Sequence, residues 1–169
     1  MGVIAWSMFR GTVIKSAVLL ACAWLTPATA AQPSTVWDDC FQGAGEFYGI
    51  SPVLLKAIAI QESSLNPLAK NRNTNGTWDI GLLQINQSWW ERLQAFGIRP
   101  EDLWDACVSI YTGAWILAQN IHQYGYNWKA VGTYNAGTSK NPKVEARRND
   151  YARRVNHHLN RLPERLRDP

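Results

Sequence analysis

The run from Pro52 to Ser64 constrains the fold more than any other stretch of this chain. Its residues, PVLLKAIAIQESS, are apolar nearly all round, and Lys56 is the only charge before Glu62. Ser51 suits a helix cap and proline suits a first helical position, so the run is predicted to be a helix. A helix that is apolar on every side is normally buried, which predicts a mainly α domain built around it.

Glu62 stands at the end of this apolar run. Burial disfavours the charged form of a carboxyl group, so the pKa of Glu62 is predicted to rise. A carboxylic acid that is still protonated near neutral pH is what a general acid for glycosidic cleavage requires. The alternative interpretation is an ordinary solvated carboxylate at a helix end.

The rest of the sequence predicts further helices and one hairpin. Asn71 to Thr77 is rich in turn residues and contains Asn75-Gly76, so it is read as a hairpin tip, with Trp78 to Leu83 as the second strand. Five more helices are predicted: four over residues 36–48, 89–96, 101–124 and 144–162, and a shorter one that begins at residue 128 and ends in residues 135–137.

Three short motifs stand in order along the chain: QESSLNP from Gln61, GLLQIN from Gly81 and YNAG from Tyr134. Together they resemble the motifs of lytic transglycosylases with a lysozyme-like (SLT) domain. More narrowly, they resemble the small specialised members that accompany type III and type IV secretion systems and conjugative pili. The resemblance covers roughly residues 40–135, most of the chain.

The resemblance implies a lysozyme-like α+β fold with a small β-hairpin lobe beside the cleft. It implies that Glu62 protonates the bond between N-acetylmuramic acid and N-acetylglucosamine, aided by the substrate's own 2-acetamido group. As a carboxylate, Glu62 then takes the proton of the C6 hydroxyl and a 1,6-anhydro ring closes. Ser63 belongs to the first motif, Tyr134 lies near Glu62, and Asn135 faces the substrate. No metal or cofactor is implied.

The second motif supplies further candidates for substrate binding. Gly81 would let the backbone approach a sugar, and Gln84 and Asn86 offer amide donors and acceptors. Leu83 stands where the family usually has methionine, and it keeps the apolar contact. The alternatives are that Asn86 caps the next helix, and that Tyr134 is a packed ring whose hydroxyl bonds to the backbone.

Two other functions stay open. A hydrolytic muramidase needs a second carboxylate, and Asp79 is the candidate near Glu62, although it could equally cap the turn after the hairpin. A non-catalytic glycan-binding assembly protein would work instead through the basic C-terminal helix. The intact Glu62 and the three motifs speak against the assembly protein, and only analysis of the products separates the transglycosylase from the muramidase.

Residues 1–30 are predicted to be a secretory signal peptide. Arg10 and Lys15 precede an apolar run, and small residues end at Ala30, so cleavage is expected there and the mature protein is expected in the periplasm. Two alternatives remain: a lipoprotein signal that ends at Cys22, and a start at Met8.

Cleavage would leave two cysteines, Cys40 and Cys107. Two cysteines in an exported chain are expected to pair in a disulfide, and the alternative is two separate buried thiols. The chain has no CxxC motif and no histidine motif that would suit metal or redox chemistry.

Charge divides the chain after the predicted signal peptide. Residues 31–139 carry a net charge of −3 and are predicted to form the transglycosylase domain. Residues 140–169 carry a net charge of +5 and are predicted to form a basic helix and tail. This segment could bind anionic polymers, a membrane surface or an acidic partner, and the alternative is a solvated helix face. The expected partners are peptidoglycan strands and components of a secretion or pilus apparatus. No nucleic acid is expected, and we expect a monomer.

Overall fold

The computed structural model describes residues 36–162, which confirm a mainly α fold with a small antiparallel sheet. The predicted signal peptide, its cleavage site and the end of the tail lie outside the described residues. No helix within residues 36–162 is long and apolar enough to cross a membrane. The helices are α1 (Asp38–Tyr48), α2 (Pro52–Ser63), α3 (Trp90–Gln94), α4 (Ala106–Tyr124), α5 (Trp128–Ala136) and α6 (Pro142–Arg161). The strands are β1 (Lys70–Arg72), β2 (Trp78–Ile80) and β3 (Ile85–Asn86), and Gln87–Trp89 and Pro100–Trp104 form short 3₁₀ helices.

Helix α2 lies at the centre of the fold, as its composition predicts. Leu55, Ala57, Ile58 and Ala59 are fully buried, and α1, α4 and α6 all pack against the helix. Lys56 is buried too, and its ammonium group forms an ion pair of 2.6 Å with Asp38 of α1. The apolar contacts on all sides fix the position of the last turn of α2, where Glu62 stands.

Helices α1 and α4 are joined covalently. Cys40 and Cys107 form the predicted disulfide, with Cα atoms 5.4 Å apart and a separation of 67 positions in the sequence. The bond therefore closes a loop that contains α2 and the whole sheet.

The sheet has the order β1-β2-β3, and Asp79 is paired with Asn71 on one side and Asn86 on the other. The predicted hairpin is confirmed, but its turn spans only residues 73–77, because Asn71 and Arg72 belong to β1, and the prediction that β2 continues to Leu83 is wrong. The chain turns at Gly81, which has a φ of 79°, and Gln84 N–H donates to the Gly81 carbonyl at 3.1 Å. The second motif is therefore a tight turn that leads into β3.

Several predicted helix boundaries are also wrong, and α1 begins at Asp38 rather than at residue 36. The helix expected over residues 101–124 begins at Ala106, because Asp105 is extended and its side chain accepts a hydrogen bond of 2.9 Å from Val108 N–H. Residues 100–104 form a separate 3₁₀ helix, and α3 stops at Gln94 rather than Phe96.

Helix α6 begins at Pro142, two residues earlier than predicted, because Asn141 caps it through a hydrogen bond from Lys143 N–H. It packs against α5 and α2. Tyr151 and Val155 of α6 are buried in the same core as α2. The predicted boundary after residue 139 stays a prediction.

Candidate active site

Glu62 is half-buried on the last turn of α2, and one hydrogen bond defines its surroundings. The hydroxyl of Tyr151 donates to Glu62 Oε1 at 2.5 Å. Tyr151 is 1% exposed, so its ring is held by the core and its hydroxyl has a fixed position. The last helix thus contributes directly to the site, from 89 positions further along the chain.

The environment of Glu62 favours the protonated carboxyl group. Burial raises the pKa of Glu62 to about 7, and the negative charge of Asp79 acts in the same direction. The hydrogen bond from Tyr151 and the positive charge of Arg154 lower it, but burial is the largest of the four effects. Near neutral pH this group can therefore both give and accept a proton.

Ser63 connects α2 to the turn of the second motif through a side-chain hydrogen bond. Its hydroxyl donates to the Leu82 carbonyl at 2.7 Å and accepts a hydrogen bond from Asn66 N–H at 3.1 Å. This arrangement gives Ser63 a structural task beside Glu62, and its predicted contact with substrate stays a prediction.

Tyr134 reaches the same turn from α5. Its hydroxyl donates to the Leu83 carbonyl at 2.9 Å, which is the backbone bond considered as its alternative role. Burial raises the pKa of Tyr134 well above its ordinary value, and the nearby charge of Glu62 adds to the rise. Leu83 itself is buried against Gly113 of α4, where a larger residue would displace it.

The glycine at position 81 is explained by packing. Its φ of 79° is unfavourable for other residues, and a Cβ there would overlap the Leu103 carbonyl oxygen and touch Ser109 Oγ. Close approach to the 3₁₀ helix therefore requires glycine here, and the predicted approach of its backbone to a sugar stays a prediction.

Gln84 is buried, and both ends of its amide are bonded within the lobe. Its Nε2 donates to the carbonyls of Ala69 and Gly81, at 3.0 and 2.8 Å, and its Oε1 accepts from Asn71 Nδ2 at 2.5 Å. This amide links β1 to the turn of the second motif. Its predicted contact with substrate remains a prediction.

Asn86 caps the following 3₁₀ helix by accepting a hydrogen bond from Ser88 N–H at 2.9 Å, and its predicted contact with substrate stays a prediction. Its Nδ2 donates to Asp79 Oδ1 at 2.6 Å, while Asn73 Nδ2 donates to Asp79 Oδ2 at 2.8 Å. Both carboxylate oxygens of Asp79 are thus held by amides.

Asn135 is exposed at the end of α5, just before a loop that is fixed by a buried arginine. Arg148 is 3% exposed, and its guanidinium donates to the carbonyls of Gly137 and Ser139 and pairs with Glu145. Arg148 of α6 therefore fixes the backbone that follows the third motif, and with it the position of Asn135 at the end of α5.

Three residues of α6 that shape the site are not among the residues predicted from the sequence: Tyr151, Arg154 and Arg148. The sequence predicts the helix over residues 144–162, which contains Tyr151, but gives this tyrosine no role in the site. The signal that could have identified it is its hydroxyl, because a tyrosine on a buried stripe needs a hydrogen-bond partner.

This chain is similar in sequence to known proteins. A sequence model described as the transglycosylase SLT domain matches residues 39–157. Invasion protein IagB of Salmonella typhimurium is 44% identical over 123 residues, which cover 72% of this chain and 76% of IagB. Protein IpgF of Shigella sonnei is 45% identical over 115 residues, which cover 68% of this chain and 74% of IpgF.

A solved structure gives an independent comparison of the fold. It is an inactive mutant of the lytic transglycosylase Slt from Pseudomonas aeruginosa, with a TM-score of 0.56 and 22% sequence identity. The match covers 72% of this chain and 23% of the Slt chain, and it bears on the fold alone. The fold that the motifs predict is confirmed.

Proposed function

This chain belongs to the transglycosylase SLT domain family, and on that premise we propose that Glu62 is both the acid and the base of a periplasmic lytic transglycosylase. The substrate is peptidoglycan, and the bond that breaks is the β-1,4 bond between N-acetylmuramic acid and N-acetylglucosamine. The observation that carries the proposal is a half-buried carboxyl group with a pKa of about 7, held by the hydroxyl of Tyr151.

In the first step, Glu62 gives its proton to the glycosidic oxygen. The bond between that oxygen and C1 of N-acetylmuramic acid breaks, and its electron pair leaves with the oxygen of N-acetylglucosamine. The acetamido oxygen of the substrate stabilises the positive charge at C1. The charge that appears on Glu62 is stabilised by the hydrogen bond from Tyr151.

In the second step, the Glu62 carboxylate takes the proton of the C6 hydroxyl while O6 bonds to C1. The anhydro ring closes, the carboxyl group is protonated again, and no water is consumed. A pKa near the working pH serves both steps, because one group must be acid and base in turn.

The masses of the products test this proposal. The mature protein is incubated with purified sacculi, and the released muropeptides are weighed by mass spectrometry. We expect products one water lighter than hydrolysed ones. Fully hydrated reducing ends would instead support the muramidase that uses Glu62 and Asp79. Binding without any release would support the non-catalytic assembly protein.

Replacement of Tyr151 by phenylalanine tests the hydrogen bond on Glu62. The bond stabilises the carboxylate and lowers the pKa of Glu62, so its loss should raise that pKa. Because cleavage needs the protonated acid, the alkaline limb of the pH–rate profile should move to higher pH, by about one unit. The measurement is kcat/KM from pH 5 to about pH 9, the range that brackets a carboxyl of raised pKa.

Tyr134→Phe is the matched control for this experiment. Its hydroxyl bonds to the Leu83 carbonyl and not to Glu62, so its removal should leave the position of the alkaline limb unchanged. An unshifted limb in Tyr151→Phe, or an equal shift in both variants, would contradict the assignment of Tyr151.

We place the enzyme in the periplasm, where it would open the cell wall locally for a secretion or pilus apparatus. Support comes from the predicted signal peptide and from the similarity to IagB, which is named an invasion protein. Its expected partners are therefore peptidoglycan strands and components of such an apparatus, and we expect it to act as a monomer.

A further inference from the structure

Arg154 stands one turn after Tyr151 on α6, the helix that supplies the hydrogen bond to the acid. Its guanidinium carbon lies 6.0 Å from the centre of the Tyr151 ring, and that ring carries the hydroxyl that bonds to Glu62. The positive charge of Arg154 acts on Glu62, whose pKa it lowers against the effect of burial. The guanidinium is thus close enough to the reacting carboxyl group to meet the same substrate.

The hydrogen-bonding capacity of Arg154 is mostly unused. Its side chain is 47% exposed, and within residues 36–162 its one bond runs from Nη1 to Asp150. A guanidinium has five N–H donors, so four are left without a protein partner in this part of the chain. Asp150 is also shared with Arg153 at 3.0 Å, so two cations are balanced by one carboxylate and a positive charge remains.

We propose that Arg154 forms a carboxylate-binding subsite that holds an acidic group of the peptidoglycan stem peptide beside the bond that Glu62 cleaves. This inference rests on the proposed function, which makes peptidoglycan the substrate. In intact strands the sugars are uncharged and the stems carry the carboxylates. The planar fork of arginine matches a carboxylate with two parallel hydrogen bonds, and exposed donors next to the acid are available for that contact.

Arg153 provides a control that separates the effect of the position of Arg154 from the effect of losing a positive charge. Both arginines pair with Asp150, so Arg154→Gln and Arg153→Gln each remove one positive charge and one partner of the same carboxylate. Arg153 is 77% exposed and makes no ring contact with Tyr151. Only Arg154 is placed beside Glu62, so only its loss should change substrate choice.

The test compares native glycan strands that carry intact stems with the same strands after their carboxyl groups have been converted to neutral amides. We expect the wild-type enzyme to prefer the native strands by about tenfold in kcat/KM, mainly through KM, since the carboxylate that Arg154 holds takes no part in the bond that breaks. Arg154→Gln should lose this preference. Arg153→Gln should keep it to within about threefold, as expected for an exposed surface charge.

Binding to the Glu62→Gln protein separates this inference from the proposed function. Titration with the two kinds of strand, with and without Arg154→Gln in the same protein, measures the carboxylate contact without any turnover. A preference for native strands that disappears with Arg154→Gln upholds the subsite even if the released products are not anhydro sugars. Equal binding of native and amidated strands, or an equal loss in both arginine variants, would overturn it.

Discussion

Glu62→Gln is expected to lower the release of anhydro-muropeptides by at least about 10³-fold, because the same group supplies the acid and the base. An amide has no proton of suitable acidity for the glycosidic oxygen and cannot take one from the C6 hydroxyl. The substitution is close to isosteric, and the amide oxygen can still accept the hydrogen bond of Tyr151. The measurement is the initial rate of muropeptide release at neutral pH, followed by mass spectrometry.

The stability of the same variant shows whether the loss is chemical. The pKa of Glu62 is raised in the folded protein, so its contribution to stability is complete below about pH 4.5 and is lost as the pH rises through about 7. A shift of this size corresponds to at most about 3 kcal/mol. Glu62→Gln should therefore melt at a temperature similar to the wild type at pH 4 and at a higher temperature at pH 8.

Two results would contradict this account of Glu62. Substantial activity of Glu62→Gln would remove it as the acid. An equal difference in melting temperature between wild type and variant at both pH values would mean that the carboxyl group is not shifted by burial.

Removal of the disulfide is expected to give the largest loss of stability. The bond between Cys40 and Cys107 closes a loop of 67 positions, and the loop-entropy estimate for that length is about 4 kcal/mol. The double variant Cys40→Ala/Cys107→Ala should therefore unfold at a temperature lower by about 10 to 20 °C. Thermal unfolding followed by circular dichroism is the measurement.

Reductant supplies the internal control for this prediction. It should lower the melting temperature of the wild-type protein by a similar amount and leave that of the double variant unchanged. If the wild-type protein melts at the same temperature with and without reductant, the prediction that the disulfide bond stabilises the fold would be contradicted.

The helices and the position of the acid could be predicted from the sequence because local patterns determine them. The apolar run after Ser51 sets α2, and Gly49 ends α1 in the left-handed conformation that glycine favours. Asn75-Gly76 likewise identifies the hairpin tip from neighbouring residues alone. These features need no information from elsewhere in the chain.

The other parts of the site depend on contacts between distant segments. The bond between Tyr151 and Glu62 joins residues 89 positions apart, so no local pattern could indicate it. The turn at Gly81 depends on the Leu103 carbonyl, which belongs to another element. The sequence of β2 and the residues next to it therefore cannot show that the strand ends there. Side-chain amides such as Gln84 are ambiguous for a similar reason, because the same group serves a sugar or a backbone carbonyl equally well.

The position of the disulfide has a consequence for proteolysis. The hairpin tip at Asn75-Gly76 is exposed and lies inside the loop between Cys40 and Cys107, so it is a natural place for an extracytoplasmic protease to cut. A single cut there would not release a fragment, because the disulfide between α1 and α4 would still join the two pieces. The nicked protein would run as one band on a gel without reductant and as two bands with it, and the piece that carries Glu62 would stay attached to the piece that carries Tyr151.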